Sequence, residues 1–231
     1  MIFDILNTDI YYINLDSQTE RNEEFLSVML SAGFSKDRLH RVSGVPNEYK
    51  DGVDSHIKAL KIGLATGEPF IVIEDDMMIN QLPPIIELTA PGGFIASAVS
   101  LAISRYGVID DYNYRGRVFT SYNYVIKGNI QHDYLVRIFN MIVGNAVYYY
   151  DMEYVKSLIS ELEFYYRSPV YKSPITNSVY GSYDDPTYKL IPFDAMMAFM
   201  QPTTNFTALN TPAFYHPGGL EEITRFTLSD I

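Results

Sequence analysis

The chain contains no cysteine and no tryptophan among its 231 residues. Without thiols there is neither a disulfide framework nor a thiolate metal centre, so any bound metal must be held by carboxylate, imidazole, carbonyl or water. Long apolar runs are missing as well. No stretch approaches the twenty or so apolar residues that a membrane span needs, and Met1 to Leu6 lacks the basic and apolar regions of a secretory leader. These absences predict a soluble, cytoplasmic protein. Basic residues are in deficit, 17 Lys and Arg against 28 Asp and Glu, for a formal charge of -11. Sequence-independent coating of nucleic acid needs a phosphate-neutralising basic face, which so acidic a chain could offer only as a local groove.

What is present is enough to build a full core. Hydrophobic residues make up 47% of the chain, and this length fits one globular domain spanning residues 1–231. Ile10 to Leu15 is a short apolar, β-prone run. After it, Ser17 and Glu20 have the spacing of a capping box, Phe25, Leu26, Met29 and Leu30 supply a helical apolar face, and Gly33 is placed to end that helix. Leu39 to Val45 predicts a second strand. Asp54 or Ser55 can cap a helix through Ile57, Leu60, Ile62 and Leu64, closed by Gly67, and Phe70 to Ile73 reads as a fully buried strand of the parallel kind. The alternation of strand and helix predicts an α/β fold with a Rossmann-like half over residues 1–80.

Residues 81–231 are less regular. Phe94 to Ile103 is apolar, and Arg105 to Tyr124 is Tyr-rich, with Arg115 and Arg117 interleaved, and predicts an excursion or hairpin. Val143 to Tyr150 is strand-like. Met152, Val155, Leu158, Ile159 and Leu162 have helical spacing, and Pro169 to Pro186 reads as a long loop. Phe193 to Met200 suits a short helix and Pro212 to Gly219 a final extended segment. The 20 tyrosines suit sugar-contacting surfaces and half-buried strands equally.

The chemistry-bearing feature is the acid run Glu74-Asp75-Asp76 that ends the buried strand. In open α/β sheets the carboxyl ends of the strands face the ligand crevice. Unpaired adjacent carboxylates repel and are costly to hold at a half-buried strand end, and a divalent cation would make them favourable. The plainer reading, a solvated turn, stands beside it.

Four blocks resemble glycosyltransferase family 25, the lipopolysaccharide and procollagen galactosyltransferase type. Tyr12-Ile13-Asn14-Leu15-Asp16 followed by Arg21 is similar to that family's opening strand. Ser55-His56-Ile57-Lys58-Ala59-Leu60 is similar to its Ser-His-x-Lys-Ala helix, which leads into the strand ending at Glu74-Asp75-Asp76. Gly144-Asn145-Ala146-Val147-Tyr148 and Pro192-Phe193-Asp194 are similar to two later blocks. Order and spacing agree over Ile10 to Met78. The chain departs from the family at Val53-Asp54, where Gly-Cys is usual, and at Met77, where a small apolar residue is usual.

The resemblance implies a GT-A fold, a Rossmann-like mixed sheet flanked by helices, with a nucleotide-sugar-binding half over 1–80 and an acceptor side over 81–231. It also implies a metal-dependent, inverting glycosyltransferase that moves a sugar from a UDP-linked or similar donor to a hydroxyl of a glycan, lipid-linked saccharide or protein. Mn²⁺ or Mg²⁺ would be bound through Asp76, with Asp75 or Glu74 beside it and His216 completing the shell. Asn14, Asp16, Arg21, Ser55, His56 and Lys58 would line the donor site, and Asp194 would be the general base. Each has a plainer alternative: a helix-start acid for Asp16, a surface helix charge for Arg21, a cap for Ser55, an aromatic-packed side chain for His216, a solvated loop acid for Asp194. Asp110, Asp111, Asp184 and Asp185 compete for the base, whereas His40 and His132 lack such context.

Two other functions fit less of the sequence. Transfer of the sugar to a hydroxymethylated DNA base would need base extrusion and a basic groove, for which Arg105, Arg115, Arg117, Lys127 and Arg137 are the available cations. A degenerate transferase serving as a carbohydrate-binding or scaffold protein would have no need of the intact acid triplet.

Overall fold

Five of the six residues of the first sheet strand, β1 (Asp9–Asn14), are buried, as expected of a strand covered on both faces. In the computed structural model, the described residues are 2–46, 52–82, 85–87, 89–90, 94–95, 97–102, 112–114, 117–119, 135–137, 146–167, 170–172, 179–181, 206–209 and 213–215. After β1 come α1 (Thr19–Ser31), β2 (Leu39–Ser43), α2 (Val53–Leu64) and β3 (Phe70–Glu74). The second half adds β4 (Ala98–Ser100), β5 (Leu135–Arg137), β6 (Ala146–Tyr149), α3 (Met152–Arg167) and β7 (Phe206–Leu209).

The seven strands form one sheet in the order β5-β7-β4-β6-β3-β1-β2. β1 pairs in parallel with both β2 and β3, and β7 pairs in parallel with β4. β6 runs antiparallel between β3 and β4, and β5 runs antiparallel to β7. Five strands therefore share one direction. The chain adopts the expected α/β architecture, a Rossmann-like mixed sheet flanked by helices, and this arrangement is consistent with the GT-A type.

Alternation along the strands explains how both faces are covered. Ile10, Tyr12, Ile71 and Ile73 point to one face, where they join Phe25 and Met29 of α1 in a single core. Phe25 and Met29 are 2% and 0% exposed, and burial at that level stabilises by about 2 kcal/mol per side chain. Tyr11, Phe70 and Tyr149 point the other way, with ring centroids 5.7 Å apart for Tyr11–Phe70 and 5.4 Å for Phe70–Tyr149. On this face Gly63 of α2 meets the Phe70 ring, so closely that an added Cβ would lie 2.5 Å from two ring carbons. α2 also packs against α3, and Lys61 pairs with Glu163 across them.

Helix ends agree with the sequence at one terminus and differ at the other. Gly33, at φ +98, ends α1: its N–H donates to Leu30 O at 3.1 Å and that of Phe34 to Met29 O at 3.1 Å. This is a Schellman motif, with Phe34 buried beside Met29. The expected caps are not used. Helix α1 starts at Thr19, and no side chain caps it, because the chain first turns, Gln18 N donating to Leu15 O at 2.9 Å. Likewise α2 follows Gly52, at φ +75, and opens at Val53, so Asp54 and Ser55 lie inside its first turn.

Arg105 to Tyr124 contains the expected hairpin, Tyr112–Tyr114 pairing with Arg117–Phe119. Pro169 to Pro186 is not entirely a loop: Val170–Lys172 pairs antiparallel with Val179–Gly181, where Val and Tyr favour an extended ribbon. Phe214–Tyr215 pairs with Met78–Ile79, which fits the expected final extended segment. The helix expected over Phe193 to Met200 lies outside the described residues. Among the described residues no helix is long and apolar enough to cross a membrane.

Candidate active site

Strands β2, β1 and β3 end side by side, with β1 in the middle. Helix α1 leaves β1 over one face, and α2 enters β3 over the other. The sheet therefore reverses its winding between β1 and β3, and an open α/β sheet forms its ligand crevice at the carboxyl side of such a switch point.

The two strands are tied together there by side chains as well as backbone. Asp75 N donates to Ile13 O at 3.1 Å, carrying the ladder one residue past β3. The Asp75 carboxylate turns inward: Oδ2 accepts from Asn14 Nδ2 at 2.6 Å, and Oδ1 accepts from an Arg21 guanidinium nitrogen at 3.1 Å. Asn14 is 1% exposed, and its amide is fully used within the protein. Nδ2 also donates to Gln18 O at 3.0 Å, while Oδ1 accepts from Arg41 Nε at 2.7 Å. Such a group needs both a donor and an acceptor on one short side chain, which Asn has and Asp lacks.

From Asn14 the network runs outward. Arg41 donates to Asp16 Oδ1 at 2.7 Å, Ser43 Oγ donates to Asp16 Oδ2 at 2.8 Å, and Lys58 Nζ donates to Ser43 O at 2.9 Å. Hydrogen bonds from Arg41 and then Ser43 hold the Asp16 carboxyl below the usual carboxylate range. The hydrogen bond to Asp75 raises Arg21 above its ordinary value, and the charges of Asp75, Asp76 and Glu74 add to this. Ser55 Oγ accepts from Val45 N at 2.9 Å and so ties the loop after β2 to the first turn of α2.

Next to these groups His56 is buried at 1% exposure, and its Nε2 lies 2.8 Å from Glu74 Oε1. The carboxylate accepts, so this nitrogen carries the hydrogen. Asp76, half-buried, follows on the turn that leads to Met78–Ile79. Tyr215, directly before His216 in the chain, pairs with Met78.

The nine expected site residues of the first half, Asn14, Asp16, Arg21, Ser55, His56, Lys58, Glu74, Asp75 and Asp76, thus gather at one end of the sheet. Asp194 and His216 lie outside the described residues, as do Asp110, Asp111, His132, Asp184, Asp185, Arg105, Arg115 and Lys127. Arg117 and Arg137 lie on the described strands Arg117–Phe119 and Leu135–Arg137. His40, on β2, lies beside the far end of β1, with Nε2 3.0 Å from Asp9 Oδ1. Sequence reasoning misses Arg41 and Ser43, although their two-residue spacing near the end of a strand places them on one face.

For a divalent cation, the donors near the crevice have the right chemistry, carboxylate oxygen with no thiolate. Among the described residues no three His, Asp or Glu side chains are grouped to hold a metal ion. Asp75 is turned away to Asn14 and Arg21. These residues would suit a hard cation only in an open type of site, with one or two carboxylates joined by substrate phosphates and water.

No protein-family model matches the chain, and no curated protein matches it in sequence. Among solved structures it is similar to a glycosyltransferase involved in the glycosylation of the major capsid of PBCV-1, at 14% identity and a TM-score of 0.34, over 70% of this chain and 68% of that one. It is also similar to the CTP:phosphocholine cytidylyltransferase LicC from Streptococcus pneumoniae, at 12% identity and a TM-score of 0.37, over 97% of this chain and 79% of that one.

Proposed function

We infer that this chain is a metal-dependent glycosyltransferase that takes a sugar from a nucleotide-sugar donor, UDP-linked by preference, and passes it to an acceptor hydroxyl. The observation that carries this reading is the position of the polar network. Asn14, Asp16, Arg41 and Glu74 to Asp76 meet at the β1/β3 switch point, where a nucleotide would lie across the strand ends. Asp16, Ser43 and Arg41 would meet the nucleoside, and Arg21 the diphosphate.

Asp76 would hold Mn²⁺ or Mg²⁺, with His216 as a second protein ligand. The Tyr215–Met78 pairing favours this assignment, because it brings the chain just before His216 to within two residues of Asp76. When bound, the cation neutralises charge on the departing nucleoside diphosphate. His56 keeps the Glu74 carboxylate oriented at the rim of the site. Asp194 is assigned the general-base role, accepting the proton of the acceptor hydroxyl as it attacks the anomeric carbon from the face opposite the leaving group. The acceptor is assigned to a glycan, a lipid-linked saccharide or a protein.

Incubation with a panel of UDP-, GDP- and CMP-sugars, with and without Mn²⁺, tests the reading without knowledge of the acceptor. Slow, metal-dependent hydrolysis of a UDP-sugar is expected. Absence of both hydrolysis and binding with every donor in the panel would contradict it.

A further inference from the structure

Asp75 and Asn14 occupy the centre of the site, yet both are turned inward. Asn14 is 1% and Asp75 9% exposed. One Asn14 nitrogen spans the two strand ends, donating to Asp75 Oδ2 at 2.6 Å and to Gln18 O at 3.0 Å. Its oxygen receives Arg41 Nε at 2.7 Å, and Arg41 in turn holds Asp16 at 2.7 Å. On the other side, Asp75 Oδ1 takes Arg21 at 3.1 Å. The amide is thus a junction between the acid-bearing end of β3 and the crevice beside β2. A buried pair such as Asn14 and Asp75, with its polar atoms satisfied, specifies one geometry, because each alternative leaves a buried polar group without a partner.

We propose that Asn14 and Asp75 are positioning residues, a buried clamp that fixes the acid-bearing end of β3 against the Arg41–Asp16 crevice, and that Asp75 consequently is not a cation ligand. This rests on the nucleotide-sugar reading only for what the clamp positions. The clamp itself is independent of any ligand. Its mode of action is indirect, since Asn14 is buried too deeply to touch a nucleotide and acts through Arg41 and Asp75.

The polarity of the pair provides a test that simple loss of contact would not pass. Asn14→Asp sets carboxylate against carboxylate and lowers Tm by about 5 °C or more, an amount typical of a buried unpaired charge in a chain of this size. Asp75→Asn lowers Tm less, because the new amide oxygen still accepts from Asn14, and the loss that remains comes from the amide nitrogen now facing Arg21. In the double variant the hydrogen bond runs in reverse, the carboxylate now at position 14 accepting from the amide now at position 75 while the bond to Gln18 O stays lost, so part of the Tm lost in Asn14→Asp returns. Additive Tm losses in the double variant would overturn the clamp.

The functional arm is titration of each folded variant with UDP in the presence of Mn²⁺. Asn14→Asp weakens UDP binding at least fivefold, and the double variant recovers most of it. Asp75→Asn, which gives up the Arg21 ion pair but keeps an acceptor for Asn14, weakens it less than Asn14→Asp does, while Asp76→Asn weakens it at least tenfold. Equal losses in Asp75→Asn and Asp76→Asn would make Asp75 a ligand and overturn the proposal, as would unchanged UDP binding in Asn14→Asp. If the unaltered chain binds no UDP, the nucleotide reading fails, while the Tm cycle still decides whether the clamp exists.

Discussion

The two ends of β1 contain similar chemistry in different surroundings. At its start, Asp9 faces Arg38 at 3.4 Å and His40 at 3.0 Å, all with side chains between 35% and 42% exposed. At its finish, Asn14 meets an acid, Asp75, and an arginine, Arg41, but Asn14 and Asp75 are buried. Water screens the first cluster and can replace each of its contacts, so it decorates the surface. At the finish water is excluded, and every missing partner has a cost. Composition alone does not tell these ends apart; burial does.

The comparison can be broken most directly at Asp75. Asp75→Ala leaves the Asn14 N–H and the Arg21 guanidinium without their acceptor, and the expected loss is about 2–3 kcal/mol, read by urea denaturation. A loss below about 0.5 kcal/mol would place this end in the same class as the exposed one. Arg41→Ala comes next, at about 1 kcal/mol, because it removes the bonds to Asn14 and Asp16 from a side chain that is itself half-exposed. Asp9→Asn should cost under about 0.5 kcal/mol at low salt and nothing measurable at about 1 M salt, where exposed pairs are screened.

Asp16→Asn gives the smallest effect, a small loss of Tm that is complete above about pH 4 and shrinks in acid. Because Arg41 and Ser43 hold the Asp16 carboxyl low, its contribution to stability is complete above the ordinary carboxylate value, about pH 4. It is lost as pH falls through the lower folded value. Asp16→Asn should therefore lose less Tm below about pH 4 than the unaltered chain. An identical acid limb would mean that the two donors do not favour the charged form.

Local features made the first half of the fold legible. Apolar runs gave β1 and β3, helical spacing gave α1 and α2, and Gly33 marked the end of α1 because a left-handed residue there costs Gly little. The caps were not legible, since Ser17 and Ser55 are good capping residues by type while the chain's turns placed the helix starts elsewhere. Within the site, proximity of Glu74, Asp75 and Asp76 in sequence suggested one shared role. The structure separates them: Glu74 faces His56, and Asp75 faces Asn14, a partner 61 residues away. No spacing rule carries that contact, because it arises from the parallel pairing of β1 with β3. Arg41 escaped notice for the same reason, as its meaning depends on the strand beside it.

The central claim, a nucleotide-sugar site at the β1/β3 switch point with Asp76 as its cation ligand, is tested most directly by calorimetric titration of UDP. The unaltered chain should bind UDP in the presence of Mn²⁺ and lose at least tenfold in affinity when the metal is omitted or when Asp76 is changed to Ala. Binding that is absent, or that is the same in Asp76→Ala with Mn²⁺, would contradict the account.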